Sequence, residues 1–131
     1  MALRLRLITP TRTLVEADVE QVTAPGTAGE FGVLPEHVAF VGELGDGVLT
    51  YVEQGVRNRV LVLGGYAEVA DDVMTVLADD AALPDEVDPE KTRSALARVQ
   101  AELRTESTDP AKIETLLREQ RRLEIELSVA S

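Results

Sequence analysis

The chain has 131 residues, enough for one domain with an appendage and for a real hydrophobic core. It has no cysteine and a single histidine, which excludes disulfides, thiolate nucleophiles, cysteine-bound metals and two-histidine metal sites. A net charge of −11 argues against nucleic acid and anionic lipid as partners.

Residues 1–84 carry 13 acids and 5 bases, and residues 85–131 carry 11 acids and 8 bases. Most of the positive charge therefore sits in the last third, where a partner with an acidic surface would meet it. The aromatics are Phe31, Phe40, Tyr51 and Tyr66, with no tryptophan. The core is expected to be aliphatic, without an aromatic platform for stacking bases or sugars.

The first two-thirds of the chain read as β structure. Leu3, Leu5 and Leu7 alternate with Arg4 and Arg6, the period of a half-buried strand and unlike a signal peptide. Leu14-Val15 and Val19 to Val22 continue the pattern. Residues 26–37 pack glycines, Pro35, Glu30, Glu36 and His37 around a short apolar insert of Phe31, Val33 and Leu34. This segment is expected to be a shaped loop, neither helix nor plain strand. It suits either a contact surface or a tight corner between sheets.

Val48–Glu53 and Val56–Leu63 flank Gln54-Gly55, and residues 67–70 and 73–77 flank Asp71-Asp72. Both breaks predict hairpins. Short strands at this spacing predict a sandwich or barrel. No run of apolar residues is long enough to span a bilayer.

After Leu83-Pro84 the period changes. Asp88-Pro89-Glu90 predicts a helix start, with Asp88 as cap and Pro89 in the first turn. Ala95, Leu96, Val99 and Leu103 follow at helical spacing. Residues 105–108 read as a polar link, and Asp109-Pro110 repeats the start signal. Ile113, Leu116, Leu117, Leu123 and Leu127 form the second stripe, interrupted by Gln120. Two such helices make an antiparallel hairpin. Their narrow stripes bury little area on each other, so a position that can change is expected.

The chemistry is sparse. His37 is the only base for a Ser/Thr nucleophile, and Ser94, Ser107, Ser128 and Ser131 all lie far away in the helical part. Asp71-Asp72 and Asp79-Asp80 read as turn residues rather than a metal site. No phosphate-binding glycine loop is present. A lone histidine at a loop end reads more readily as a turn residue than as a catalyst. An acid–base enzyme using Glu30, Glu36 and His37 stays open as a minor reading, because it needs a pocket around these groups. The residues themselves point to a non-enzymatic acidic β module with a helical hairpin, an interaction protein.

The motifs, in order, resemble those of the epsilon subunit of bacterial F-type ATP synthases. That family's loop reads Gly-Glu-hydrophobic-Gly-(Ile/Val)-x-Pro-Gly-His, and here Gly29-Glu30-Phe31-Gly32-Val33-Leu34-Pro35-Glu36-His37 stands in its place. Leu44-Gly45-Asp46-Gly47-Val48, Gly64-Gly65-Tyr66-Ala67-Glu68-Val69 and Val76-Leu77-Ala78-Asp79 match three further segments.

The resemblance implies a β-sandwich of about ten strands over residues 1–84. A regulatory two-helix hairpin over residues 85–131 follows it. It implies a non-catalytic central-stalk subunit that binds the gamma subunit and the c-ring and couples proton flow to ATP synthesis. The hairpin can extend to the catalytic beta subunits and inhibit ATP hydrolysis. The complex lies on the cytoplasmic face of the bacterial inner membrane, and this subunit meets the membrane only indirectly.

By the same resemblance Glu30, Phe31, Glu36 and His37 face the c-ring and the foot of the stalk. Arg118, Arg121 and Arg122 are candidates for the catalytic head, either free for that contact or paired along their own helix. Glu36 replaces the family's usual glycine; it either strains the turn or adds a charge. No cofactor is implied, although some family members bind ATP at the first helix start. Here Asp88, Lys91 and Arg98 are the nucleotide candidates, and Lys91 in place of the family's arginine implies weak or absent binding. The alternative is a free-standing β-sandwich adaptor that uses the loop around Glu30.

Overall fold

The computed structural model describes residues 2–105 and 109–130. Glu106, Ser107 and Thr108 of the expected polar link, and Ser131, lie outside the described residues. The chain divides into two compact units, Met1–Leu83 and Pro84–Ser131.

The first unit contains β1 (Leu3–Ile8), β2 (Thr13–Val19), β3 (Gln21–Gly26), β4 (Gly29–Val33), β5 (Phe40–Glu53), β6 (Val56–Ala70) and β7 (Val73–Ala82). They form one sheet in the order β2-β1-β7-β6-β5-β3-β4. Neighbours are antiparallel except β1 and β7, which run parallel. In β1, Leu3, Leu5 and Leu7 are fully buried while the two arginines face outward. Arg4 pairs with Asp18 at 3.2 Å and Arg6 with Glu16 at 3.4 Å. Exposed pairs of this kind add little to stability.

Both expected hairpins are present. Gln54-Gly55 (φ 50 and 76) and Asp71-Asp72 (φ 53 and 60) have positive φ at both turn positions. That is the geometry whose twist matches the flanking strands. The run from Leu14 to Val22 is broken at Glu20. The Glu20 amide donates to the Val52 carbonyl (2.7 Å), and its carboxylate accepts from the Gly55 amide (2.9 Å).

Seven continuous strands stand where about ten were expected. The difference has a physical cause. The set facing the main core changes parity along three strands: Leu44 then Leu49 on β5, Val60 and Val62 then Ala67 and Val69 on β6, where Leu61 and Leu63 are buried outside that core, and Met74, Val76 and Ala78 then Ala81 on β7. A residue period of two can change parity only where a strand bends. The bend on β6 falls at Gly64 and Gly65, whose φ values are 68 and 121. A Cβ on Gly65 would lie 2.1 Å from the Leu77 carbonyl oxygen. The sheet thus folds over, and β5, β6 and β7 each serve both layers of a sandwich. Its core is aliphatic, as expected, with Leu3, Leu5, Leu7, Leu49 and Met74 fully enclosed.

The expectation of a loop without strand over residues 26–37 is corrected in part. Gly29–Val33 is β4, paired with β3 from Gly26↔Gly29 to Val22↔Val33. Thr27-Ala28 is the turn between them. Only residues 34–39 form the loop proper.

In the second unit, α1 spans Pro89–Arg104 and α2 spans Pro110–Ala130. The Asp88 carboxylate caps α1, accepting from the amides of Glu90 (3.1 Å) and Lys91 (3.3 Å). Asp109 does the same for α2 through the Ala111 amide (3.0 Å). The two helices pack on each other as a hairpin. Val99 of α1 and Leu116 of α2 are buried.

Candidate interaction surfaces

One end of the β unit gathers most of the loop residues singled out by sequence. Phe31 of β4 and Phe40, the first residue of β5, meet edge to face with centroids 5.1 Å apart. His37 stands edge-on to Phe40 at 5.9 Å, so three rings form a chain from β4 to the loop. Phe40 lies over Gly42, where a Cβ would come within 2.5 Å of its ring. The His37 Nδ1–H donates to the Val38 carbonyl at 2.8 Å. That bond fixes the tautomer and leaves Nε2 as the free nitrogen.

Beside the rings lies an open groove of about 360 Å³, lined by the Gly26–Gly29 turn, Glu30, Phe31, Phe40 and Glu43. Carboxylates and aromatic faces are the chemistry that receives a cationic side chain. The groove takes in Glu30 but neither Glu36 nor His37. Glu30 and Glu36 are both exposed. The minor acid–base reading required these three groups in one pocket, and of the three this groove holds only Glu30.

Glu36 has φ 67, the left-handed region. The usual glycine of the family motif is therefore replaced at a position that does favour glycine. Two bonds close the turn. The His37 amide donates to the Leu34 carbonyl at 3.2 Å, and the Glu36 amide donates to the Asp72 carboxylate at 2.5 Å.

A second surface escaped the sequence reading. Tyr66 on β6 and Leu77 on β7 are directly opposite each other and face outward, 57% and 55% exposed. Val41 on β5 is 70% exposed, opposite Glu68 on the same side of β6. The available signal was parity: Ala67 and Val69 face inward, so Tyr66 and Glu68 must face out.

On α2, Arg118 pairs with Glu114 at 3.3 Å and Arg122 with Glu126 at 3.6 Å. The two central arginines are thus bracketed by acids one turn away on either side, which relieves their mutual repulsion. Arg121, one turn from Arg118, lines a groove of about 580 Å³ with Leu117, Glu124 and Ile125 that the other two arginines do not line. On α1 the Asp88 carboxylate is engaged as the cap, while Lys91 and Arg98 are exposed. Those two side chains are seven residues apart, so they share one face at roughly 10 Å along the axis. Among the described residues no cluster of acids and histidine is suited to a metal, and no helix is long and apolar enough to cross a membrane.

Comparison with known proteins settles the family. The model for the beta-sandwich domain of the ATP synthase delta/epsilon chain matches residues 2–84. The chain belongs to the ATP synthase epsilon chain family. The epsilon chain of Citrifermentans bemidjiense is 40% identical over 102 residues, covering 78% of this chain and 74% of that one. The epsilon chain of Nitratidesulfovibrio vulgaris is 38% identical over 118 residues, covering 88% of each. A chain in the OSCP/F1/c-ring structure of Euglena gracilis mitochondrial ATP synthase superposes with a TM-score of 0.73 at 26% identity, over 98% of this chain and 77% of that one. A chain in the central stalk/c-ring structure of the Tetrahymena thermophila enzyme shares the fold, with a TM-score of 0.61 at 14% identity over 98% and 96% of the two chains. As an epsilon chain the protein is a subunit of an enzyme complex.

Proposed function

We propose that the chain is a non-catalytic subunit of the central stalk of a proton-translocating rotary ATP synthase. Its β unit binds the gamma subunit and the c-ring, and so couples proton flow to ATP synthesis. The observation that carries this reading is the outward-facing Tyr66–Leu77 pair with Val41 beside it. Large apolar side chains paired across an outer sheet face mark a surface that a partner covers. We assign that face to gamma. The acidic and aromatic end, with Glu30, Phe31, Glu36 and His37, is assigned to the polar loops of the c-ring. The subunit then sits peripherally on the cytoplasmic face of the bacterial inner membrane.

The helical hairpin is the regulatory part in this reading. Extended, it reaches the catalytic beta subunits and slows ATP hydrolysis. Arg121 offers its charge directly, and Arg118 and Arg122 exchange Glu114 and Glu126 for acidic groups of the head. ATP binding at Asp88, Lys91 and Arg98 is proposed to be weak, since the Asp88 carboxylate already caps α1. The deciding experiment is a binding isotherm of the full chain with a purified gamma–c-ring subcomplex. Saturable binding that Tyr66→Glu weakens supports the reading. No binding sinks it and favours the free-standing adaptor.

A further inference from the structure

We propose that Asp72 is the positioning residue of the c-ring-facing loop: its carboxylate clamps the Glu36 amide and thereby holds Glu36 and His37 in the geometry they present to the partner. The inference rests on the docking reading given above and adds to it a residue 36 positions away in sequence.

Glu36 sits at φ 67 without being glycine. Left to itself, such a residue relaxes to negative φ, which re-aims its own carboxylate and the histidine that follows. Among the described residues, the one backbone–backbone bond that closes this turn runs from the His37 amide to the Leu34 carbonyl at 3.2 Å, and the His37 ring bond to the Val38 carbonyl lies beyond it. The bond from the Glu36 amide to Asp72 Oδ1 is 2.5 Å and ends on a charged acceptor, the stronger kind.

Asp72 is itself well held. It occupies the second position of the β6–β7 turn at φ 60, and its carbonyl accepts from the Arg4 amide at 2.8 Å. Its backbone is thereby tied to β1 while its side chain reaches the loop. The hairpin tip thus carries an acceptor to Glu36, the left-handed non-glycine residue of the 34–39 loop. With glycine at position 36 the same turn would need no such hold. Asp72 and Glu36 therefore work as a pair, and the value of one depends on the other.

The test uses the full chain and four variants: Asp72→Gly, Asp72→Asn, Glu36→Gly, and the double change of Glu36→Gly with Asp72→Gly. Glycine keeps the left-handed turn at position 72 and removes the acceptor. Asparagine tolerates that backbone and keeps a side-chain oxygen to accept the bond. Amide exchange of Glu36, followed by NMR on the isolated chain, is expected to quicken about tenfold in Asp72→Gly, the scale of one hydrogen bond to a charged acceptor. In Asp72→Asn it is expected to quicken less, because the neutral side-chain oxygen still accepts the bond but more weakly.

Affinity for detergent-purified c-ring is expected to fall by about tenfold in Asp72→Gly and to recover in part in Asp72→Asn. Adding Asp72→Gly to Glu36→Gly is expected to change it little, because the pair acts as a unit. Unchanged exchange in Asp72→Gly overturns the clamp. Faster exchange with unchanged affinity, or an equal loss in both backgrounds, overturns its positioning role. Wild type that fails to bind the c-ring overturns the docking reading and the positioning role together, while the exchange rates on the isolated chain still decide whether the clamp exists.

Discussion

Tyr66 and Leu77 stand directly opposite each other on β6 and β7, and both point away from the core whose inner face their neighbours Ala67 and Val76 line. Their exposure is the feature most at odds with a β unit that works alone. Substituting an outward-facing residue leaves packing intact, so Leu77→Glu should change folding stability by no more than about 0.5 kcal/mol. The same change should weaken binding to the gamma–c-ring subcomplex by at least tenfold, since a charge would be buried without a partner. A urea melt paired with a binding isotherm separates the two effects. Loss of stability with intact binding would show that the pair serves the sandwich instead.

Glu36 makes a prediction about stability. A non-glycine residue in the left-handed region costs on the order of 1 kcal/mol. Glycine removes that cost but loosens the unfolded chain, which offsets part of the gain. Glu36→Gly should therefore raise the urea midpoint slightly, by about 0.5 kcal/mol in stability, with the slope of the transition unchanged. A lowered midpoint would mean that the Glu36 side chain makes a contact that outweighs the backbone cost.

How far the sequence could be read follows from which features are local. The hairpins at Gln54-Gly55 and Asp71-Asp72, the alternation of β1 and the caps at Asp88 and Asp109 each lie within a few residues, and each was legible. Features set by pairing across the chain were not. The parity changes along β5, β6 and β7 depend on where the sheet folds over. The Tyr66–Leu77 pair depends on register between two strands, and the Glu36–Asp72 bond joins a loop to a hairpin tip far along the chain. The loop around Glu30 was located, but β4 inside it was missed because its glycines concealed a strand that only its partner β3 completes.

The cap of α1 offers a check on the nucleotide question. Asp88→Ala removes the acceptor for the Glu90 and Lys91 amides and should cost about 1 kcal/mol of helix stability. Asp88→Asn keeps a capping oxygen and should cost little. If ATP used the carboxylate, both variants would lose nucleotide affinity equally in calorimetry. If Asp88 acts only as a cap, Asp88→Asn should leave calorimetry and helicity both close to wild type.

Tyr51 carries the prediction for pH. Its phenol is raised above the usual value near 10, first by burial and then by the charge of Glu53. The neutral phenol is thus favoured in the folded chain relative to the unfolded one. The contribution to stability is complete below the unfolded value of about 10. It is lost as pH climbs from there through the raised folded value. An absorbance titration of the phenolates should contain a step above pH 10 that disappears in Tyr51→Phe. Urea midpoints of the wild type should fall over the same alkaline window more steeply than those of Tyr51→Phe. Parallel pH dependence in the two proteins would mean that Tyr51 ionises as freely in the fold as in the unfolded chain, and that its burial does not bias the phenol.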